Sequence, residues 1–221
     1  MGRKNDSRKR LLDAAHELIW AYSYGAVTVE AICERARVKK GSFYYFFDSK
    51  SDLAEAAINA WWNERRNLVQ ELFKPEVPPL ERIRKYLDVV AQLQIEAYEE
   101  GGQVLGCPLF TLGSEICAQN KRLRSLVQGI LSHGARRFED AIREAQASGE
   151  INGNNAALKA RLLWAFYGGA LTQARIENNP DLIRNISSDA LELIGARPGL
   201  LHDGALNKLP DENVFAVGVN Q

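Results

Sequence analysis

Residues 28–50 read TVEAICERARVKKGSFYYFFDSK and predict two short helices joined by a tight turn. Apolar residues recur at helical spacing from Val29 to Ala36, so they share one face of the first helix. Thr28 is suited to cap that helix because its hydroxyl can accept an N–H from the first turn. Residues 37–41 are mostly polar and basic and form the predicted turn. The stretch therefore predicts a helix, a turn and a second helix.

The second of these helices, residues 42–47, reads SFYYFF, and so many rings on one short helix cannot all face a core. Phe43 and Phe47 lie four residues apart and share a face, which suits packing against the first helix. Tyr44 and Tyr45 must point elsewhere, where their hydroxyl groups can donate to phosphate. This distribution resembles a helix-turn-helix that reads DNA.

A third helix is predicted to begin directly after this stretch. Asp48 or Ser49 caps it, and Ser49 with Asp52 has the spacing of a capping box. Lys50 falls in its first turn, at the positive end of the helix dipole, where a cation is disfavoured unless an anion docks there. A DNA phosphate is such an anion.

The same residues resemble the signature of the TetR family of bacterial transcriptional regulators, roughly T-V-x-x-I-A-x-x-A-G-V-S-x-G-x-L-Y-x-H-F-x-S-K-x-x-L. The positions that match in register are Thr28, Val29, Ile32, Ala36, Val38, Gly41, Tyr44, Phe47, Ser49, Lys50 and Leu53. Residues 10–18 also fit the first helix of the family. The resemblance implies an all-α fold, with an N-terminal three-helix helix-turn-helix DNA-binding domain and a larger C-terminal helical domain for ligand binding and dimerisation.

Three positions depart from the family pattern. Arg37 stands where the family has its turn glycine, so a residue with a Cβ is expected to adopt a left-handed conformation at a cost of roughly 1 kcal/mol. Ser23 replaces another usual glycine. Phe46 stands where His or Tyr is common, which removes one phosphate contact.

Charge is unevenly distributed along the 221 residues, although the whole chain has a formal net charge of zero. Residues 1–50 hold ten Lys/Arg against six Asp/Glu, which fits a DNA-reading head on an acidic body; a solvated basic N-terminus explains the charge equally well. There is no run of 18 apolar residues and no apolar segment after the basic N-terminus, so we expect a cytoplasmic protein with no membrane partner.

Residue types that carry catalysis or bind metals are sparse. The cysteines at 33, 107 and 117 and the histidines at 16, 133 and 202 have no metal-ligand spacing, and no phosphate loop or nucleophile elbow occurs. We therefore expect no enzyme activity, no metal and no cofactor. His16 is expected to be a partly exposed surface residue.

Three segments organise the chain: a helix-turn-helix domain at 1–50, a helical effector-binding and dimerisation domain at 51–195, and a tail of unreadable role at 196–221. Within the tail, only residues 213–219, NVFAVGV, have strand character. Proline, glycine and apolar periodicity predict helices at 6–22, 28–36, 42–47, 52–73, 80–100, 109–118, 121–148, 154–178 and 180–194.

The DNA surface is predicted from the two helices and their flanks. Phosphate contacts are expected from Thr28, Lys39, Tyr44, Tyr45 and Lys50, whereas Lys40 and Ser42, with Gly41 between them, lie at the N-terminal part of the recognition helix and reach base edges.

The resemblance also implies an effector pocket in the body, and apolar surface on the last helices needs a partner, for which a second copy of the chain is the simplest choice. Pocket candidates are Trp61, Trp62, Tyr86, Tyr98, Cys107, Phe110, Phe138 and Trp164, of which at least half are expected to be ordinary core. Dimer candidates are Leu158, Leu162, Trp164, Gly168, Leu171 and Leu191.

The resulting hypothesis is a homodimeric repressor that is released from a palindromic operator by a small effector. A helical ligand-binding or interaction protein whose head no longer reads DNA is the competing class. A third possibility concerns Cys107 in GCPLFTLGSEIC, where Pro108 suits the first helical position and places the thiol at a helix start. This segment resembles the G-C-x-x-x-x-L-x-x-E stretch of a TetR subgroup in which some members sense electrophiles or oxidants through the cysteine; a small cysteine that fills space is the simpler explanation.

Overall fold

The computed structural model describes residues 2–116 and 118–197, in which the chain forms nine α-helices and one short 3-10 helix. The predicted all-α class is confirmed. The helices are α1 (Gly2–Ala21), α2 (Val29–Arg35), α3 (Lys40–Phe46), α4 (Lys50–Leu72), α5 (Pro79–Gly101), α6 (Pro108–Ile116), α7 (Lys121–Ala147), α8 (Ala156–Glu177) and α9 (Ile186–Leu193), with the 3-10 helix at Pro180–Ile183.

Proline and glycine set the helix ends close to the predicted positions. Pro79 and Pro108 are the first residues of α5 and α6, where a missing N–H costs nothing. Gly102 follows α5 with a φ of 71°, and Gly149 follows α7 with a φ of 77°. Both glycines take the left-handed conformation that commonly ends helices.

The last predicted helix, 180–194, is wrong as a single element. It is divided into the 3-10 helix and α9, because Asn185 takes the N-cap position of α9 rather than a place inside a continuous helix. Asparagine is a poor interior helix residue because its side chain competes for nearby backbone groups. The predicted start of the recognition helix at residue 42 is two residues late, since α3 begins at Lys40.

The described residues divide into two compact units. The first comprises residues 2–65 and 108–129, so α6 and the beginning of α7 fold together with α1, α2, α3 and the first part of α4. Its core contains fully buried apolar side chains from most of these helices: Leu11, Ala15, Ile32, Phe43, Leu53, Leu112 and Leu123.

The second unit comprises residues 66–107 and 130–197. Its core includes Ile83, Leu87, Ile142, Leu163, Leu171, Ile183 and Leu191, all fully or almost fully buried. The loop after α5 is fixed by the buried Gln94, whose side chain accepts the N–H of Gly106 at 2.7 Å and donates to its carbonyl at 3.3 Å. The side-chain oxygen of Asn178 accepts the N–H of Val104 at 2.9 Å. These contacts hold residues 102–107 against α5 and α8.

The observed units differ from the contiguous division at residue 50 that the sequence suggested, because residues 108–129 return to the first unit. The predicted tail begins inside the described chain: Ala196 is buried and pairs with Ile151 in an isolated β-bridge. The strand-like residues 213–219 and Cys117 lie outside the described residues.

The described residues show neither a membrane-spanning helix nor a metal-binding group of side chains. They contain no helix that is both long and apolar enough to span a membrane. The same residues hold no group of three or more His, Cys, Asp or Glu side chains placed to bind a metal ion.

Candidate DNA interface and effector site

The helix-turn-helix is fixed by local hydrogen bonds. Thr28 Oγ1 accepts the N–H of Ala31 at 3.1 Å, which is the predicted cap of α2. After α2, Arg37 has a φ of 52°, so it adopts the left-handed conformation expected at the family's glycine position. The Arg10 guanidinium of α1 donates to the carbonyls of Ala36 and Arg37 at 3.2 and 3.4 Å. The turn is thereby tied to α1.

Aromatic residues of α3 divide between core and surface as predicted. Phe43 is fully buried and Phe47 is almost so, with ring centroids 6.0 Å apart. Tyr44 and Tyr45 are 53% and 66% exposed, so both rings stand on the outer side of the helix. Phe46 is half-buried. The two buried rings anchor α3 and leave one face uncovered.

That uncovered face carries most of the residues predicted to contact DNA. Thr28, Lys39, Lys40, Gly41, Tyr44 and Tyr45 are exposed, and Ser42 is half-buried. Lys40 pairs with Glu30 of α2, and this hydrogen bond raises the pKa of Lys40 and lowers that of Glu30. Both side chains are exposed, so water screens the pair and it is weak. Lys40 can exchange Glu30 for a base or phosphate at small cost.

Lys50 differs from the other predicted contacts because its ammonium group is engaged within the first unit. It donates to the carbonyls of Tyr24 and Val27, both at 2.8 Å, and lies 4.2 Å from the centroid of the Tyr24 ring. Two of its three donors are therefore used to hold the segment between α1 and α2. The cation at the start of α4 is satisfied by these carbonyls, without the external anion that we inferred from the sequence.

The amides of the same segment are held by Glu115 of α6. Its carboxylate accepts the N–H of Tyr24 at 2.9 Å and the N–H of Gly25 at 2.5 Å. A Cβ on Gly25 would lie 2.9 Å from Glu115 Oε1, so glycine permits this close approach. Sequence reasoning missed Glu115 as a positioning residue, although it is the glutamate of the G-C-x-x-x-x-L-x-x-E stretch.

His16 is half-buried, in agreement with the expected partly exposed residue, but its ring packs against two other aromatic side chains. Its ring lies 5.1 Å from Trp20 and 5.8 Å from Trp61 between ring centroids, and its Nε2 is buried without a hydrogen-bond partner. Burial, with a smaller effect of Arg65, lowers the pKa of His16 to about 3. The ring therefore stays neutral beside a cavity of about 10 Å³, enough for roughly one water molecule.

Some of the predicted pocket residues meet in the second unit. Phe138 lies at the centre of an aromatic cluster, 5.9 Å from Phe73, 5.4 Å from Tyr86 and 5.2 Å from Trp164 between ring centroids. Tyr167, which sequence reasoning missed, completes the cluster at 5.9 Å from Tyr86 and 5.1 Å from Trp164. We call these five residues the aromatic cluster.

Other pocket candidates lie elsewhere. Trp61 and Phe110 belong to the first unit, Trp62 is half-buried on α4, and Tyr98 is 37% exposed near the end of α5. The sequence alone does not show whether an aromatic residue lines a pocket or belongs to the core, because that depends on which helices pack together.

Cys107 lies beside the aromatic cluster, and Pro108 is the first residue of α6 as predicted. The thiol is only 8% exposed and hydrogen-bonds to Tyr167, which in turn is hydrogen-bonded to Tyr86. Burial raises the pKa of both tyrosines well above the ordinary value, so their hydroxyl groups stay protonated. This arrangement resembles a filled core more than the partly exposed, electropositive setting of a reactive cysteine.

Three of the six residues that we assigned to a dimer interface are buried within the chain, and a fourth, Trp164, is half-buried. Leu171 and Leu191 are 1% and 0% exposed, Gly168 is buried and Trp164 belongs to the aromatic cluster. The three buried residues offer no surface to a partner, because the apolar positions of α8 cover more than one face and only one of those faces is uncovered. Leu158 and Leu162, which are 38% and 48% exposed, lie on that face.

Comparison with known proteins agrees with this architecture. Residues 11–57 match the model of the tetR family of bacterial regulatory proteins, and residues 79–188 match that of the tetracyclin repressor-like C-terminal domain. The chain is 30% identical over 183 residues to the transcriptional regulator AcuR of Cereibacter sphaeroides, with 82% of each chain covered. The chain belongs to the TetR family of bacterial transcriptional regulators.

Further TetR-family relatives include two named repressors. The chain is 27% identical over 174 residues to DhaR of Mycobacterium sp. strain GP1, covering 78% of this chain and 84% of DhaR. It is 24% identical over 197 residues to NemR of Escherichia coli K12, covering 86% and 95%. Among solved structures, the regulatory protein TetR from Rhodobacter sphaeroides has a TM-score of 0.74 at 29% identity, covering 85% of this chain and 98% of that one.

The positive φ of Arg37 gives a testable expectation about the TetR-type turn. Arg37→Gly should unfold at a higher urea concentration than Arg37→Ala, by about 1 kcal/mol in the free energy of unfolding, because only glycine adopts this conformation without a steric cost. Both variants lose the same side chain, so the alanine variant is the control. A glycine variant less stable than the alanine variant would show that the turn does not strain residue 37.

Proposed function

We propose that this TetR-family regulator is a homodimeric repressor that binds a palindromic operator through α3 and leaves it when a small effector binds the second unit. The observation that carries the proposal is the exposed face of α3, where Lys39, Lys40, Tyr44 and Tyr45 surround a helix anchored by buried phenylalanines. The names of DhaR and NemR as repressors support the direction of regulation.

The residues of this face are proposed to contact two different parts of the DNA, the base edges and the phosphates. Lys40 and Ser42, with the exposed Gly41 between them, lie in the first turn of α3, the part of a recognition helix that contacts base edges. Thr28, Lys39, Tyr44 and Tyr45 can donate to phosphates on either side. Lys50 keeps one donor for a phosphate, although its main role is to hold the turn before α2. Phosphates then give affinity, and Lys40 gives base preference.

Operator binding tests this division of roles. Lys40→Ala should weaken binding to the operator by about 1–3 kcal/mol and relax base preference, whereas Lys39→Ala should weaken all sequences alike and reduce the salt slope by about 1. The measurement is DNase footprinting and titration of the DNA upstream of the protein's own gene at several salt concentrations. Lys121→Ala, an exposed lysine at the start of α7, serves as the control.

No footprint at low salt would overturn the repressor proposal and would favour the competing class, a helical protein whose head no longer reads DNA. Equal loss of affinity in Lys40→Ala and Lys39→Ala, with unchanged base preference, would instead show that α3 does not read bases as proposed.

The uncovered face of α8 supports a second copy of the chain as partner. Leu158, Leu162, Ala165 and Gly169 recur at three- and four-residue spacing and are exposed, and Ile176, seven residues further along, is 78% exposed. Leu193 of α9 is 49% exposed. An uncovered apolar row of this kind is typical of a self-complementary interface. A dimer would place two recognition helices about one DNA turn, roughly 34 Å, apart.

Leu162→Glu should therefore give monomers by light scattering and abolish operator binding, because a charge would be buried in the interface. Gln128→Glu, at an exposed position on α7, is the matched control and should remain dimeric. Leu171 is not a suitable test position, since its side chain is buried within the chain and a charge there would unfold the protein. An active monomeric Leu162→Glu variant would contradict the proposed dimer.

The alternative of a thiol-based sensor through Cys107 has a weaker basis. The burial of the thiol and its hydrogen bond to Tyr167 favour a space-filling role. Similarity to a structure of Escherichia coli NemR in its reduced form, at 21% identity, shows the fold alone. We therefore place the effector response in the aromatic cluster and its surroundings.

A further inference from the structure

Three arginines and one histidine, all within the described residues, lie near one another in the second unit. His133, Arg136 and Arg137 lie three and four residues apart on α7, so they share one side of that helix. Arg137 Nε donates to His133 Nε2 at 3.2 Å. The positive charges of Arg66 on α4 and of both arginines on α7 lower the pKa of the same histidine. We call these four residues the arginine site.

The nearest carboxylates on α7 form their ion pairs with another arginine, although Asp140 also raises the pKa of Arg137 against the larger, opposite effect of burial. Glu139 and Asp140, the next acidic residues on α7, both pair with Arg143. On α4, Glu71 pairs with Lys74. Within the described residues, Arg66, Arg136 and Arg137 form no ion pair at all. Arg66 and Arg136 are exposed and Arg137 is half-buried, so water weakens the repulsion among the three guanidinium groups, and a bound anion would offset what remains of it.

The arginine site adjoins the aromatic cluster. The Arg137 guanidinium lies 5.9 Å from the centroid of Phe73, which stacks on Phe138 at 5.9 Å. Gly134, four residues before Phe138 on α7, lies so close to Trp164 that a Cβ would be 2.5 Å from its ring. The same turn of α7 therefore presents cations on one side and packs against rings on the other.

Burial sets the protonation of the histidine in this group. Partial burial, followed by Arg137, Arg136 and Arg66, lowers the pKa of His133 below its ordinary value, so the ring is neutral at neutral pH. Partial burial also lowers the pKa of Arg137, though this guanidinium remains charged. An anion between these groups would favour the protonated ring and thus raise the pKa of His133.

We propose that Arg66, His133, Arg136 and Arg137 bind the oxyanion group of the effector, a carboxylate or phosphate whose apolar part rests against Phe73. Arginine suits this role because its planar guanidinium donates two parallel hydrogen bonds to either group. The inference names the chemical class of the effector and therefore rests on the proposed function.

Thermal-shift titrations at constant ionic strength, without DNA, test the site directly. The probes are sodium benzoate, inorganic phosphate and the neutral benzamide. Benzoate or phosphate should stabilise the wild-type protein saturably, and benzamide should not. Arg66→Gln and Arg137→Gln should weaken the anion's affinity roughly tenfold or more, because each removes a charge-assisted hydrogen-bond donor. If benzoate stabilises the protein, the oxyanion group of the effector is a carboxylate. If phosphate does so, it is a phosphoryl group.

Arg143→Gln is the matched control, since it removes an arginine from the same helix that is already paired with Glu139 and Asp140. It should keep the wild-type affinity. The inference is overturned if neither anion gives a saturable shift, or if Arg137→Gln and Arg143→Gln behave alike.

The pH profile separates binding at this site from general stabilisation by salt. Because the bound anion raises the pKa of His133, benzoate affinity should increase as the pH falls from about 8 to about 6, while benzoate itself stays ionised. His133→Asn should flatten this profile. If benzoate affinity depends on pH in His133→Asn as it does in the wild type, His133 does not take part in anion binding.

Operator release distinguishes failure of the inference from failure of the proposed function. An anion that binds with the predicted arginine dependence should also weaken operator binding. If it binds but leaves a normal operator footprint unchanged, its role as effector is wrong while DNA recognition stands. If no operator footprint is found, the proposed repressor function fails, and the thermal-shift result still decides whether the arginine site binds anions.

Discussion

The segment between α1 and α2 is held from two sides by hydrogen bonds, and the start of α2 depends on these contacts. Lys50 of α4 donates hydrogen bonds to the carbonyls of Tyr24 and Val27. The carboxylate of Glu115 on α6 accepts hydrogen bonds from the amides of Tyr24 and Gly25. A loop whose backbone groups are satisfied by two oppositely charged side chains cannot shift without losing several charge-assisted hydrogen bonds. Because α2 begins directly after this loop, its position also fixes where α3 presents its exposed residues.

Local chemistry explains why so much of the DNA-binding unit was predictable. The caps at Thr28 and Ser49, the buried pair Phe43 and Phe47, and the left-handed Arg37 all depend on neighbours within a few residues. Such patterns can be recognised in the sequence because helix spacing and backbone sterics act at short range. The same is true of the helices that start at proline and end at glycine.

Features that depend on contacts between residues far apart in the sequence could not be predicted from local patterns. His16 is partly exposed as predicted, but its ring also packs against two tryptophans. Leu171 and Leu162 are equivalent as apolar residues of α8, but one is buried within the chain and the other is exposed. Glu115 lies 90 residues from the amide of Gly25 that it binds. Each of these roles depends on which helices meet, and a single sequence does not record that.

We propose that the hydrogen bonds of Glu115 to Tyr24 and Gly25 position the exposed face of α3 for DNA binding. Operator affinity and amide hydrogen exchange, measured together on Glu115→Ala and Glu115→Gln, test it most directly. The account predicts that Glu115→Ala speeds exchange at both amides and weakens operator binding roughly tenfold, with partial recovery in Glu115→Gln, which keeps one acceptor. Ser114→Ala, at the adjacent position of α6, should behave as wild type. Unchanged operator affinity in Glu115→Ala, despite faster exchange at the two amides, would contradict the account.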